Sequence, residues 1–368
     1  MLDQILLKKN KLSVLIISNT FSSSYVFRKS LIKTLHKKKK LIGVYSFCND
    51  IESIIFNDIK NYYGILGLLQ IIKDILLKKK VVIHSFTHLG NLIGFFISLF
   101  TFSKLIINIT GMGSTFTINN LKNNLIKKLI FFFYFISQLK ASCYIVQNNY
   151  EYKMFKNITD KKIFKTVGSG IDKDFFSDLK TINFSDKIKI GFFSRAIKEK
   201  GVHTFYNFAK NFKNNNNFEF IHIGKYGSNQ FSKENIFKTA KNNNIYFRPF
   251  MLDIKNYIYS CDIIFIPSYY KEGLSRLLIE SLCMKKIVIC KLTTGVEDIV
   301  NENCLKDKLL TFVDDDEIIS ILNSALNLLK KKSKSRLDCF YLFNSEDTNK
   351  IYFQSYSYCI KDKTYEIF

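Results

Sequence analysis

The chain has 368 residues, 47% of them hydrophobic, which is enough for about two domains that each bury a sizeable core. Its formal net charge of +24 suggests an anionic partner, such as nucleic acid, an acidic membrane surface or a phosphorylated substrate. A second explanation stays open, because a chain rich in Lys, Asn, Ile and Phe, with two Pro and no Trp, is typical of an AT-biased genome.

The cysteines and the N-terminal stretch indicate a cytoplasmic protein. The eight cysteines include no CxxC pair, and no histidines stand at zinc-finger spacing, so we predict reduced core residues and no metal site. Residues 1–19 lack the basic, apolar and small-residue regions of a signal peptide.

The first half of the chain alternates short apolar runs with longer mixed segments. The mixed segments are long enough for helices, for example residues 28–38. The apolar runs fit buried strands at residues 12–18, 41–47, 80–86, 104–110 and 143–148. Such alternation predicts a parallel sheet with right-handed crossovers.

Two runs in this half, 91–100 and 129–139, are intensely apolar but shorter than the roughly 20 residues that a spanning helix needs. One interpretation is a pair of core helices. The segment before the second run carries Lys122, Lys127 and Lys128. A basic, aromatic helix of this kind could also lie on an anionic bilayer surface.

The strand pattern restarts after a polar segment. Further strands are predicted at residues 188–194, 218–224, 244–250, 262–268, 286–292 and 308–313. The fold class is therefore α/β, with two Rossmann-like, doubly wound parallel-sheet domains. We predict domains at 1–170 and 188–345, a linker at 171–187, and a C-terminal tail at 346–368 that packs back on the body. In such sheets, ligands bind beyond the carboxyl ends of the strands.

The second domain opens with "GFFSRAIKEKG", residues 191–201, which places two cations after a strand. The strand ends at Ser194, Arg195 follows it, and Lys200 stands five positions later beside a glycine. Arg offers fork-shaped hydrogen bonding and Lys a point charge, so a pair of phosphates is their natural ligand. Two solvated surface cations are the alternative.

The stretch "SYYKEGLSRLLIESL", residues 268–282, places a carboxylate at each end of a helical pattern that follows a strand. Gly273 allows close approach of the backbone, and the amides at a helix start attract phosphate. Glu272 could accept hydrogen bonds from sugar hydroxyls, and Glu280 could hold the two hydroxyls of a ribose. The alternatives are a charge favoured by the helix dipole and a surface glutamate.

The first domain has its own polar candidates near predicted strand ends. His84 and His88 lie in "HSFTHLGN" and could be cleft residues or structural histidines. Thr110 and Gly111 begin "TGMG", which could line a ligand-binding cleft.

These motifs together resemble the retaining glycosyltransferases of family 4, also called group 1, which have the two-domain GT-B fold. The two glutamates separated by seven residues resemble the donor site of that family, and "FFSRAIKEKG" resembles its diphosphate clamp. The likeness covers residues from about 10 to 330. It is similar in particular to the subfamily of N-acetylgalactosaminyltransferases that act on polyprenyl-diphosphate-linked glycans.

The resemblance implies a role for each candidate residue. Arg195 and Lys200 would neutralise the departing nucleoside diphosphate, Glu272 would contact the donor sugar, and Glu280 the ribose. The remaining donor-site residues would be Ser194, Gly273, Leu274 and Ser275, with the amides of Gly273 and Leu274 near the phosphates. Enzymes of this family need no metal or other cofactor, because cations and a helix start stabilise the charge.

The implied partners are a nucleotide sugar, with UDP as the expected nucleotide, a lipid-linked glycan acceptor and an anionic membrane surface. We expect a peripheral protein at the cytoplasmic face of the membrane that serves surface polysaccharide, lipopolysaccharide or capsule synthesis. The alternatives are a non-catalytic glycosyltransferase-like subunit and a nucleic-acid-binding protein. No zinc pattern, RNA-recognition strand motif or isolated basic helix supports nucleic acid as a partner.

Overall fold

The computed structural model describes residues 12–48, 58–78, 80–118, 120–182, 186–227, 231–251, 253–330 and 336–361. Two compact units divide the chain. The first comprises the residues up to Gly170 together with Glu272–Leu274 and the segment from Phe343, and the second comprises Ile171–Lys271 and Ser275–Leu342. Residues 171–187, the predicted linker, therefore group with the second unit.

The first unit contains a parallel sheet of seven strands in the order β3-β2-β1-β4-β5-β6-β7. The strands are β1 Ser13–Thr20, β2 Leu41–Cys48, β3 Asn61–Tyr63, β4 Val81–Phe86, β5 Lys104–Asn108, β6 Ala141–Val146 and β7 Lys162–Lys165. All five strands predicted here are present. Sequence analysis missed β3, which has only three residues, and β7, in which two apolar residues stand between lysines.

The helices of this unit cover both faces of the sheet. They are α1 Phe21–Lys37, α2 Gly64–Leu76, α3 His88–Phe100, α4 Ser114–Thr117, α5 Leu121–Ser137 and α6 Asn149–Lys156. The inner sides of α2, α3, α5 and α6 share one hydrophobic core on one face of the sheet, and α1 belongs to the core on the other face. Because both faces are covered, the central strands are mostly apolar.

The helix starts follow local capping chemistry. Thr20 accepts a hydrogen bond from the Ser23 amide at 3.2 Å and begins α1, seven residues before the predicted helix. The apolar runs 91–100 and 129–139 lie in or next to α3 and α5. Within the part of the chain that the structure describes, no helix is long and apolar enough to cross a membrane.

The second unit contains a parallel sheet of six strands in the order β10-β9-β8-β11-β12-β13. The strands are β8 Ile188–Phe193, β9 Phe218–Ile223, β10 Ile245–Arg248, β11 Ile263–Ile266, β12 Ile287–Lys291 and β13 Leu309–Phe312. The helices are α7 Val202–Asn211, α8 Lys233–Asn242, α9 Lys255–Ser260, α10 Arg276–Cys283, α11 Thr294–Glu297 and α12 Ile318–Leu329. All six strands predicted for this half are present.

The C-terminal helix, α13 Ser345–Ile360, packs within the first unit against α1 and the edge formed by β5, β6 and β7. Its buried side chains complete the core on that face of the sheet: Tyr352, Phe353, Tyr356 and Cys359. The last seven residues of the predicted tail lie outside the described residues.

All eight cysteines are free, and six of them are buried. Cys143 of β6 and Cys359 of α13 lie with their sulfur atoms 3.7 Å apart, and burial raises the pKa of the Cys143 thiol well above its usual value. Buried thiols of this kind act as small apolar residues.

Candidate functional site

In the sheet of the second unit, the order in which the strands are added reverses between β8 and β11. The chain proceeds from β8 outward to β9 and β10, then crosses to β11 and continues outward to β12 and β13. The loops that follow β8 and β11 therefore diverge, and the crevice between such loops is where open α/β sheets bind ligands. The first loop carries Ser194, Arg195 and Lys200, and the second leads into the glutamate stretch.

The loop after β8 is held by the neighbouring strand β9. The Ala196 amide donates to the Lys225 carbonyl at 2.8 Å, and the ring of His222 in β9 donates through Nε2 to the Ser194 carbonyl at 3.0 Å. A Cβ atom at Gly224 would lie 1.7 Å from the same carbonyl oxygen, so only glycine allows this approach. The exposed Arg195 thus stands on a loop whose backbone is fixed on both sides.

The same loop also contacts the segment after β11. The Tyr269 amide donates to the Glu199 carbonyl at 3.1 Å, and the Lys200 ammonium lies 4.8 Å from the centre of the Tyr270 ring. Gly201 ends the loop with φ +75°, and a Cβ there would lie 2.2 Å from the Pro267 carbonyl oxygen. Lys200 is therefore placed by contacts to the strand end that precedes Glu272.

A buried pair supports the loop from beneath. The Tyr206 hydroxyl of α7 lies 2.9 Å from His222 Nδ1, and the Ser194 carbonyl can only accept the proton on Nε2. His222 is therefore neutral, with Tyr206 donating to Nδ1. Burial lowers the pKa of His222 to about 4, although the bond to Ser194 opposes this shift.

Glu280, the predicted ribose contact, lies in α10 with its side chain buried. Its Oε1 accepts a hydrogen bond from Arg276 Nε at 2.6 Å, one helical turn earlier. Burial raises the pKa of the Glu280 carboxyl, and Arg276 lowers it in part. Ser275 is the N-cap residue of α10, with no capping hydrogen bond from its side chain.

Glu272, Gly273 and Leu274 belong by their contacts to the first unit. Glu272 forms an antiparallel bridge with Gly111, and Asn148 Nδ2 donates to the Gly273 carbonyl at 3.3 Å. A Cβ at Gly273 would lie 2.2 Å from Gln147 Oε1. In this unit the structure therefore brings together two residues predicted on the donor side and one predicted on the acceptor side.

His88 begins α3 directly after β4 and is partly buried. Its Nε2 donates to the Met112 carbonyl at 3.1 Å, and its Nδ1 accepts from the Tyr134 hydroxyl at 2.7 Å. Burial lowers the pKa of His88, so the ring is neutral near pH 7. His88 thereby ties the "TGMG" segment, which contains Thr110 and Gly111, to helix α5.

His84 lies inside β4 and is fully buried. Its Nδ1 lies 2.8 Å from the Tyr356 hydroxyl and its Nε2 lies 3.3 Å from Asn108 Nδ2. Burial and, to a smaller extent, the nearby Arg28 hold the pKa of His84 well below its usual value. This placement favours the structural alternative for His84 over contact with an acceptor.

A groove of about 580 Å³ lies between α7 and α8 in the second unit. Val202, Tyr206 and Ile236 contribute to its lining, and none of the predicted site residues does. Among the residues that the structure describes, no group of three or more His, Cys, Asp or Glu side chains is arranged to hold a metal ion. The prediction that no metal is required stays a prediction.

Comparison with known families identifies the region that carries the β8 and β11 loops. Residues 175–338 match the family described as glycosyl transferases group 1. The match covers a little less than half of the chain. The match includes the loop with Arg195 and Lys200 and both glutamates of the 268–282 stretch.

One curated relative of the chain is an enzyme of Campylobacter jejuni, N,N'-diacetylbacillosaminyl-diphospho-undecaprenol alpha-1,3-N-acetylgalactosaminyltransferase. It is 28% identical over 248 residues, which cover 62% of this chain and 65% of the relative. The aligned region thus spans a little less than two thirds of that enzyme.

Solved structures show the fold. HepE from Anabaena, solved in complex with UDP-glucose, matches with a TM-score of 0.70 and 14% identity over 95% of this chain and 100% of that one. Sucrose-phosphate synthase from Thermosynechococcus elongatus matches with a TM-score of 0.71 and 13% identity over 95% and 100%. The predicted GT-B fold, with two parallel-sheet α/β domains, is confirmed.

Sequence analysis missed several residues that position the candidates. His222, supported by Tyr206, holds the Ser194 carbonyl by a hydrogen bond. Asn148 donates to the Gly273 carbonyl, and the Gln147 side chain packs against Gly273. A polar His in the apolar strand "FEFIHIG" was the available signal for His222. Thr87, the N-cap of α3, has φ +68°, which is rare for a β-branched residue and was not visible in the sequence.

Proposed function

We propose that this chain is a retaining glycosyltransferase that moves a sugar from a nucleotide donor, UDP-N-acetylhexosamine or another UDP-sugar, to a polyprenyl-diphosphate-linked glycan. The observation that carries the proposal is the loop with Arg195 and Lys200 at the switch point of the β8–β13 sheet, within the region that matches group 1 glycosyltransferases. The Campylobacter relative, which by its name acts on a diphospho-undecaprenol glycan, supports the acceptor class.

In the proposed reaction, the bond between the anomeric carbon and the UDP oxygen breaks, and the oxygen of an acceptor hydroxyl bonds to that carbon with the same anomeric configuration. The hydroxyl proton passes to the departing UDP. Arg195 and Lys200 neutralise the charge that grows on the departing diphosphate, and the backbone amides of Gly273 and Leu274 add hydrogen bonds. Glu272 orients the donor sugar. Glu280 holds the ribose hydroxyls, while Arg276 keeps its carboxylate ionised.

The proposed setting is the cytoplasmic face of a membrane, in surface polysaccharide or glycan synthesis. There a polyprenyl acceptor presents its diphosphate head at the bilayer surface. Thr110, Gly111 and His88 are the proposed acceptor-side residues. We propose that the reaction needs no metal, because the two cations and the backbone amides provide the stabilisation that a divalent ion would otherwise provide.

The test is UDP and GDP release across a panel of nucleotide sugars, with detergent-solubilised polyprenyl-diphosphate sugars as acceptors. We expect release with one donor, a fall of roughly a hundredfold or more in Arg195→Ala and in Glu272→Ala, and full activity in the presence of a chelator. Lys238→Ala, which removes an exposed cation of α8 in the same unit, is the matched control and should retain activity.

The proposal fails if no donor is turned over and no nucleotide raises the melting temperature. Salt-sensitive DNA binding under those conditions would favour the nucleic-acid alternative. Folded protein that binds neither nucleotide nor DNA would favour the non-catalytic subunit.

A further inference from the structure

The outer sides of α2, α3 and α5 in the first unit expose many large apolar side chains. We call this surface the three-helix face. Among its most prominent side chains are Leu66 and Leu69 of α2, Phe96 and Phe100 of α3, and Leu125 and Phe132 of α5. Monomeric soluble proteins rarely expose apolar patches of such extent, so the surface calls for a partner.

The three helices lie on the same side of one sheet. Ile71 of α2, Phe95 of α3 and Tyr134 of α5 point inward and belong to a single hydrophobic core with the strands. The opposite sides of the same helices must therefore point away from the sheet, toward solvent.

Helix α5 shows the pattern most clearly. Leu121, Leu125, Leu129 and Phe132 follow one another at spacings of four, four and three residues, and all four are exposed. That spacing keeps them on one side of a helix. The helix is thus apolar toward both the core and solvent, which a role in the core alone does not explain.

The charge around the three-helix face is mostly positive, because Asp74 of α2, the one acidic residue of the three helices, forms an ion pair with Lys60. Between Asp74 and Glu151 the sequence contains no acidic residue and eight lysines. Lys73 of α2 and Lys122 and Lys128 of α5 are exposed beside the apolar side chains. An anionic surface that can also accept apolar side chains fits this combination.

We propose that the three-helix face docks on an anionic lipid bilayer, with its Leu and Phe side chains in the acyl boundary and its lysines at the lipid phosphates. A second copy of the chain fits less well, because a two-fold contact would place the same lysine-rich surfaces against each other, and Asp74, the one acidic residue of the three helices, already pairs with Lys60. The inference rests on the proposed function, because docking on the bilayer would bring the enzyme to a lipid-linked acceptor.

The test is co-sedimentation of the full chain with phosphatidylcholine vesicles, with and without phosphatidylglycerol, at low and high salt. The apolar variant is Leu66→Ser, Phe100→Ser and Phe132→Ser, at positions that are 76%, 72% and 62% exposed. Its matched control is Ile319→Ser and Leu337→Ser, at positions 43% and 55% exposed in the second unit. We expect the apolar variant to lose roughly tenfold or more in vesicle affinity and the control to bind as the wild type does.

Charge is tested by Lys122→Gln with Lys128→Gln, against Lys238→Gln with Lys241→Gln on α8. The first pair should weaken binding to phosphatidylglycerol vesicles and reduce its salt dependence, and the second pair should change neither. Because all these positions are exposed, circular dichroism melting should show folded variants.

Two results would overturn the inference. One is equal vesicle binding by the wild type and the apolar variant. The other is a lipid-free dimer that the apolar variant converts to a monomer while vesicle binding is unchanged, which would make the face a self-association surface. Donor hydrolysis measured without vesicles reports on the proposed enzyme separately, so failure of either idea is recognised independently.

Discussion

Single glycines decide the shape of the candidate diphosphate loop. Gly201 has a positive φ and lies against the Pro267 carbonyl, whereas Gly64, at the start of α2, has a similar φ of +62° with nothing within 4 Å of its would-be Cβ. A substitution at Gly64 therefore introduces backbone strain alone, whereas one at Gly201 introduces the same strain and a steric clash.

We expect Gly64→Ala to cost only the strain of a left-handed residue, about 1 kcal/mol, and Gly201→Ala to cost distinctly more. Gly201→Ala should also abolish nucleotide-dependent stabilisation, because Lys200 would be displaced. Denaturant unfolding with and without UDP measures both effects. Equal losses in the two variants would show that the contact with Pro267 does not constrain the loop.

His222 links protonation to the position of the Ser194 carbonyl. Its pKa is lowered to about 4 by burial, so the stabilisation of its neutral form is complete above the unfolded-state value of about 6.5 and is lost as pH falls toward 4. The difference corresponds to about 3 kcal/mol. Protonation would also place a second donor against the Tyr206 hydroxyl.

We expect the stability of the wild type to fall between pH 6.5 and 4, and His222→Phe to show a shallower fall. His84 and His88 contribute with the same sign, so the quantity to compare is the difference between the two profiles. Chemical unfolding at a series of pH values measures it. Parallel profiles would mean that His222 titrates normally in the folded protein.

At the scale of elements, α10 contains an ion pair in which each buried charge needs the other as its partner. Arg276 and Glu280 are one turn apart and both side chains are largely buried. Removing one partner leaves the other charge buried without compensation, which is far more costly than loss of an exposed pair.

Arg276→Ala should therefore destabilise the protein by about 3 kcal/mol, and adding Glu280→Gln should recover part of that loss. Lys350→Ala, which removes the exposed pair with Asp347 on α13, is the control and should change stability little. Denaturant unfolding compares the variants. If the double variant is no more stable than Arg276→Ala, the buried Glu280 carboxylate does not need Arg276 to compensate its charge.

At the scale of the whole molecule, the first unit is not continuous in sequence. Its sheet is built from residues before Gly170, yet α13 from the other end of the chain supplies Tyr352, Phe353 and Tyr356 to the core over β1, β4, β5 and β6. Buried aromatic side chains contribute about 1.5 to 3 kcal/mol each, which is a large part of the stability of a typical domain.

Truncation after Leu342 should consequently yield an unfolded or aggregated first unit, whereas truncation after Lys361 should leave the fold intact. Limited proteolysis followed by mass spectrometry shows which unit is digested. Equal resistance of the first unit in both truncations would contradict a structural role for α13.

The sequence by itself determined the α/β class, the motifs, and eleven of the thirteen strands in the part of the chain that the structure describes, because buried parallel strands are continuous apolar runs and motif chemistry is local. Only the tertiary structure decided that His84 is buried, that Glu280 pairs with Arg276, that His222 supports Ser194, and that α5 is apolar on its solvent side. Those outcomes depend on which residues from distant segments meet, and on which side of a helix remains uncovered. The sequence shows which residues are apolar and on which side of a helix they lie. Whether that side is buried depends on the neighbours that the fold brings to it.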